Sequence, residues 1–229
     1  MSFPSTGVID DFNRADSATL GASYTARPLN DIASASLDIV SNAATSGATF
    51  ESNWRNTGTY GPDTEVTSTV KASFTNTSDG EGGWLVTSGM LLLRLASPGT
   101  ASVDGYSLTY EGGPDMGYVA TFFRIDNGVI TGLGATAFAT GGILAGDVFG
   151  LEAAGPTLKA YRKPSAGAWG QLNTSRTDST YTAAGYIGLW GQSWDPTASQ
   201  FDDLGGGTIT AAVSTDVMLP MGMLGTSRV

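Results

Sequence analysis

The sequence contains no cysteine and no histidine. Without cysteine there is no disulfide, no thiolate nucleophile and no cysteine-based metal site. Without histidine the commonest general base and the commonest zinc ligand are gone, and hydrolysis by a Ser-His-Asp arrangement is excluded. Only carboxylates are left for acid–base chemistry. Charge is scarce as well: Asp, Glu, Lys and Arg make up 14% of the 229 residues, against about 25% in an ordinary domain. Basic residues are the scarcer kind, 11 against 21 acidic, for a net charge of -10. Phosphate backbones are bound chiefly through Lys and Arg, so the balance argues against a nucleic-acid partner. An anionic membrane surface is disfavoured on the same ground. Long apolar runs are missing too. The longest, around Met90 to Leu95, is interrupted by Arg94, and nothing approaches the ~18 residues of a membrane span. The opening MSFPSTGVIDDF has neither a basic n-region nor an apolar h-region, so no signal peptide is expected. Capped helical periodicity is absent; residues 15–20 can make one helical turn at most.

What the sequence does have is alternation and turn chemistry. In residues 66–74, Val66, Val70, Ala72 and Phe74 face one way and Thr67, Thr69, Lys71 and Ser73 the other. Tyr106, Leu108 and Tyr110 alternate with Ser107, Thr109 and Glu111. Residues 118–125 are apolar on both faces up to Arg124, which predicts a central strand. Residues 148–153, 157–162 and 186–190 complete the clearest strands. Between them stand Asp79-Gly80, Asp104-Gly105, Asn127-Gly128, Gly141-Gly142 and Gly155-Pro156, part of a complement of 32 glycines. Asn127-Gly128 and Gly155-Pro156 each predict a hairpin. Short strands every 8–12 residues define an all-β sandwich or barrel.

Beyond residue 207 the pattern changes. Residues 208–229, TITAAVSTDVMLPMGMLGTSRV, are apolar but lack turns and clean alternation, and they hold Met218, Met221 and Met223, half of the 6 methionines. Methionine is the adaptable side chain of sticky surfaces. Two readings stay open: a last edge strand packed on its own domain, or an arm docking on a partner through Val217, Met218, Leu219, Met221, Met223 and Leu224.

Candidate ligand residues are few. Sugar binding needs an aromatic platform with polar rims. Trp194, set beside Asp195 and before Pro196 in a loop, is the first candidate, and Trp169 in PSAGAWGQL the second. Trp190 ends an alternating strand and reads as core. Calcium would need hard oxygen ligands. Asp10, Asp11, Asp202 and Asp203 would converge if the first and last strands pair, although alternation lets only one of each pair meet, and Arg14 can neutralise them instead. The expectation is therefore no cofactor, with Ca²⁺ as the alternative. Gly132-x-Gly134 lacks the rest of a dinucleotide fingerprint and follows no βαβ pattern.

Three segments in order, DDFNRADSATLG (10–21), GDVFGLEAAGPTLKAY (146–161) and GYIGLW followed by FDDL (185–204), resemble the concanavalin A-like lectin/glucanase superfamily, in its laminin-G-like form. GMLLLRLASPGTASVDGYSLTYEG fits the middle of the same pattern, and the resemblance spans residues 8–204. It implies a two-sheet antiparallel jelly-roll sandwich with a C-terminal extension: a domain over 1–207 and an arm or edge strand over 208–229. It implies that the DDF strand lies beside the FDD strand, and that GLEAxGxTLxxY is a hairpin. The glucanases of that superfamily carry E-x-D-x-x-E on one strand. Glu51, Glu65, Glu81, Glu111 and Glu152 do not form it, which points away from an enzyme; Glu152 reads as an exposed or hydrogen-bonded face residue. Phage structural proteins share this fold. The lack of an export signal, the lack of cysteine and the apolar tail give the expectation of a non-catalytic virion protein, a head decoration or tail component. It would be made in the host cytoplasm, form a homo-oligomer or array with other virion subunits, and present its jelly roll to host glycans. A stand-alone carbohydrate-binding module is the alternative, and a carboxylate-based glycoside hydrolase comes third.

Overall fold

The computed structural model describes residues 3–26, 35–46, 51–78, 84–113, 117–134, 137–139, 141–172, 174–192 and 199–210, and no helix occurs among them. The strands are β1 (Val8–Asp10), β2 (Tyr24–Ala26), β3 (Asp38–Ile39), β4 (Ala44–Thr45), β5 (Glu51–Arg55), β6 (Thr64–Val70), β7 (Asn76–Ser78), β8 (Trp84–Val86), β9 (Ser88–Ala96), β10 (Asp104–Gly113), β11 (Gly117–Asp126), β12 (Val129–Gly132), β13 (Ala137–Ala139), β14 (Val148–Ala154), β15 (Thr157–Lys163), β16 (Gly170–Gln171), β17 (Arg176–Thr177), β18 (Tyr186–Gln192) and β19 (Gln200–Thr208).

Two antiparallel sheets pack face to face. The first has nine strands in the order β16-β15-β14-β6-β19-β4-β3, with β1 paired to β19 and β17 to β15. The second has eight, β12-β11-β10-β9-β18-β5-β2, with β13 paired to β11. As the resemblance implied, Asp10 of the DDF strand pairs with Leu204 of the FDD strand. The predicted hairpins also form. Asn127 and Gly128 both take positive φ, 47° and 79°, as a type I′ turn requires between β11 and β12. Gly155 turns β14 into β15 at φ 52°.

Alternation decides what fills the sandwich. Val66 and Val70 of β6, Phe149 and Leu151 of β14, and Tyr106, Leu108 and Tyr110 of β10 all enter one core. Phe149 of the first sheet stacks on Tyr110 of the second, with ring centroids 4.2 Å apart and planes 3° from parallel. The strand buried on both faces is β9, whose Leu91 and Leu93 join that core. Its Met90 and Leu92 point the other way and cluster with Leu95, Val103, Ile125 and Trp190. The continuous apolar run thus marks β9. The central character expected for residues 118–125 is weaker: β11 lies next to the edge strands and alternates, with Tyr118, Ala120 and Phe122 inside and Val119, Thr121 and Phe123 half-exposed.

Arg94, which breaks that run in sequence, sits at a β-bulge where the register between β9 and β10 shifts. Its φ is 51°, its exposure 2%, and its head turns to three carbonyls: Nε donates to Pro62 O at 2.8 Å, and Nη1 donates to Gly155 O at 2.8 Å and Tyr181 O at 3.1 Å. One buried cation thereby ties together three loops at the same end of the sandwich.

Candidate functional site: a polar groove under the N-terminal segment

The β14–β15 hairpin sends Phe149, Leu151, Ala153, Leu158 and Ala160 into the core. Period-two geometry then places Glu152, Lys159 and Tyr161 on the opposite face. Glu152 pairs with Lys159 across the hairpin and with Glu65 of β6 on its other side. Lys159 Nζ donates to Glu152 Oε1 at 2.7 Å, and Tyr161 OH donates to Glu152 Oε2 at 3.1 Å. Asp63, Ser5 and Ile209 close a groove of about 260 Å³ around these side chains. Asp63 is held by the Gly155 amide, which donates to its Oδ1 at 2.7 Å. Burial, followed by the adjacent Glu152 carboxylate, pushes the Tyr161 phenol well above its ordinary value, so it stays a neutral donor.

The N-terminal segment crosses this face. Glu65 is 1% exposed, and its Oε1 accepts from Ser5 N at 2.6 Å, Thr6 N at 2.5 Å and Thr6 Oγ1 at 2.6 Å. Phe3 stacks on Tyr161 with centroids 3.9 Å apart and planes 8° from parallel. Trp169 meets the same Phe3 ring edge-on at 4.9 Å and 87°. Gly150 lies beneath; a Cβ there would fall on the Phe3 ring.

Of the residues singled out from sequence, Trp169 is half-buried and borders this groove. Trp194, Asp195 and the tail residues Val217, Met218, Leu219, Met221, Met223 and Leu224 lie outside the described residues. Strand β19 runs through Thr208, the first residue assigned to the tail, and Ile209 N, just past its end, donates to Asp63 O at 2.9 Å. Trp190 is buried, within the cluster on the outer side of the second sheet. Glu152 is hydrogen-bonded as expected. Glu65 entered the sequence reading only as a carboxylate outside the E-x-D-x-x-E pattern; Phe3, Lys159 and Tyr161 were missing from it. The last two were open to it: once Gly155-Pro156 is taken as a tight turn, counting outward pairs Glu152 with Lys159 and puts Tyr161 on the same face.

The aspartates at the β1–β19 junction separate. Arg14 takes Asp10 in two hydrogen bonds of 2.7 and 3.2 Å. Asp11, Asp202 and Asp203 share a shallow polar depression with Lys71, whose Nζ donates to Asp202 Oδ2 at 2.7 Å. Burial, then Asp202 and Asp11, raise the Asp203 carboxyl above its usual range. Among the described residues no group of three or more Asp, Glu, His or Cys can hold a metal ion. A second polar cluster joins Asp178 to Tyr106 OH at 2.7 Å and Arg124 Nη1 at 2.9 Å, and Tyr181 OH to Asp126 at 2.6 Å and Asp104 at 3.0 Å. Its groups satisfy one another, and it fastens the loop around Asp178 to the β10–β11 pair.

No protein-family model matches the sequence, and no curated protein does. Solved structures do match in fold. The carbohydrate-binding module CBM66 from Bacillus subtilis superposes with a TM-score of 0.53 at 16% identity, covering 82% of this chain and 98% of that one. The CBM2 module of the evolved Dit of Lactobacillus casei phage J-1 gives 0.53 at 14%, covering 88% of this chain and 95% of that one. A xylan β-1,4-xylosidase from Bacillus halodurans gives 0.50 at 13%, covering 90% of this chain but 40% of the enzyme. The chain therefore has the concanavalin A-like jelly-roll fold, shared with carbohydrate-binding modules.

Proposed function

We propose that this protein is a non-catalytic, glycan-contacting jelly-roll subunit of a bacteriophage particle. The observation that carries the glycan reading is the groove. It sets the hydroxyl of Tyr161, whose ring face lies under Phe3, beside a carboxylate and an ammonium group already held in place, Glu152 and Lys159. Fixed polar groups of this kind meet the hydroxyls of sugars. The likeness to a phage module supports placement on a virion, as does the apolar tail. That tail would dock the domain on neighbouring subunits.

The carboxylates speak against catalysis. Glu65 and Glu152 face each other across adjacent strands, a closeness reminiscent of the ~5 Å acid pairs of retaining glycosidases. Yet Glu65 is buried and its Oε1 is already taken by three donors from the N-terminal segment. Glu152 is committed to Lys159 and Tyr161. Neither is free to protonate a leaving group or attack an anomeric carbon.

A glycan array with the purified protein tests the reading. Bound glycans should lose at least about tenfold in affinity, ~1.4 kcal/mol, with Tyr161→Ala and with Glu152→Gln. Binding that both variants leave intact, or no binding at all, would remove the groove from consideration. A stand-alone carbohydrate-binding module is the second reading, favoured by the likeness to CBM66. Removing residues 210–229 separates the two, since only a virion subunit would lose particle incorporation while keeping its fold and its glycans.

A further inference from the structure

We propose that the slot filled by Phe3 is a second sugar-ring subsite, continuous with the Glu152–Lys159–Tyr161 groove and closed by the protein's own N-terminal segment. The inference rests on reading that groove as glycan-binding. The slot has the parts that a pyranose ring needs. Its wall is the Tyr161 ring, against which Phe3 lies nearly parallel at 3.9 Å, the stacking that the C–H face of a sugar adopts. Its second wall is Trp169, perpendicular at 4.9 Å. Its floor is Gly150, a position on β14 where any side chain would collide with the occupant. Glu152 and Lys159 lie directly beside it through Tyr161 OH.

The polar contacts of the segment that fills the slot meet at one point. Between Phe3 and β1, its described side-chain-mediated hydrogen bonds all converge on one atom, Glu65 Oε1. Those donors belong to Ser5 and Thr6, so releasing that one atom lets the stretch from Phe3 to Thr6 lift as a unit. A segment whose polar contacts meet at one atom opens at lower cost than a core strand. Phe3 can therefore leave the slot while β1 stays paired to β19. A single sugar would bind the open groove beside Phe3. A longer glycan would replace Phe3 on Tyr161 and pay the opening cost out of its second stacked ring.

The test compares the full chain, Phe3→Ala and a variant lacking residues 2–4, each titrated calorimetrically with mono-, di- and trisaccharides of any glycan retained on the array. Both variants should bind the di- and trisaccharides about tenfold tighter than the full chain and the monosaccharide equally. Amide hydrogen exchange on the unaltered protein is the companion measurement, independent of how the variants fold: Ser5 and Thr6 should lose protection when the trisaccharide binds and keep it with the monosaccharide. If the variants gain nothing and the two amides stay protected while the monosaccharide still binds, the subsite is refuted and the groove stands. If no chain binds any glycan, both fall. Binding by the variants alone would support both.

Discussion

Replacing Arg94 by Met asks whether one buried cation holds the loops around the groove. Its guanidinium donates to the carbonyls of Pro62, Gly155 and Tyr181, and its Nη2 lies 3.8 Å from Asp63 Oδ1. Burial pulls its pKa down, with Tyr106 and Asp63 acting in the opposite direction. Three hydrogen bonds from a charged donor contribute about 1.5–3 kcal/mol each. Against their loss stands the relief of desolvating a buried cation, which costs several kcal/mol. Asp63 is 46% exposed on its side chain, so water can take over its share. The net expectation is a loss of about 3 kcal/mol. For a chain of this length that is roughly 6–12 °C in Tm, or a lower urea midpoint at unchanged slope. Arg94→Lys should fall between, because one ammonium cannot span three carbonyls as a planar fork does. Glycan affinity should fall as well, since the Pro62 and Gly155 carbonyls flank the residues that position Asp63. A Met variant within about 0.5 kcal/mol of the parent would refute the argument that the cation, and not the surrounding β-bulge, fastens the loops.

Four further outcomes follow from the same geometry. Phe149→Ala should destabilise by about 3–5 kcal/mol in denaturant titration, since it removes the ring that stacks on Tyr110 between the sheets; a loss under 1 kcal/mol would mean the rings do not carry inter-sheet packing. Gly150→Ala should expel Phe3 from the slot without disturbing the core, read as a change in Trp169 fluorescence at nearly unchanged Tm; an unaltered spectrum would contradict the placement of Phe3. Glu65→Ala should release the N-terminal segment and expose it to proteases, whereas Glu65→Gln, which keeps an acceptor oxygen, should do so less; equal protection in both variants would count against the anchor. Acidification should destabilise the fold. Burial alone would raise the Asp178 carboxyl, but hydrogen bonds from Thr180, Tyr106 and Arg124 outweigh it and hold the pKa at about 2. A depressed folded-state pKa contributes stability above the unfolded value near 4, and that stability is lost as pH falls through 2. Asp178 should account for about 1–2 kcal/mol of it. Asp178→Asn should flatten the stability profile over that window, and an unchanged slope would remove Asp178 from the account.

Local pattern carried this protein's class. Period-two alternation, the turn pairs Asn127-Gly128 and Gly155-Pro156, and the absence of helical faces specify a stack of short antiparallel strands, because each depends on neighbours only a few residues apart. The missing histidine and cysteine excluded imidazole and thiol chemistry for a reason equally independent of folding. Even the Glu152–Lys159–Tyr161 cluster lay within reach, being set by the register of one tight hairpin. Tertiary structure alone decided the rest. Arg94 breaks an apolar run in sequence, but its partners come from positions 62, 155 and 181, and no local signal says that a bulge turns its charge toward their carbonyls. Glu65 looks like an ordinary strand carboxylate until the N-terminal segment is laid across it. Phe3, near the very start of the chain, finds Tyr161 and Trp169 more than 150 residues away. Contacts that distant are set by which strands become neighbours in the sheet, and that choice is made by the packing of the whole sandwich.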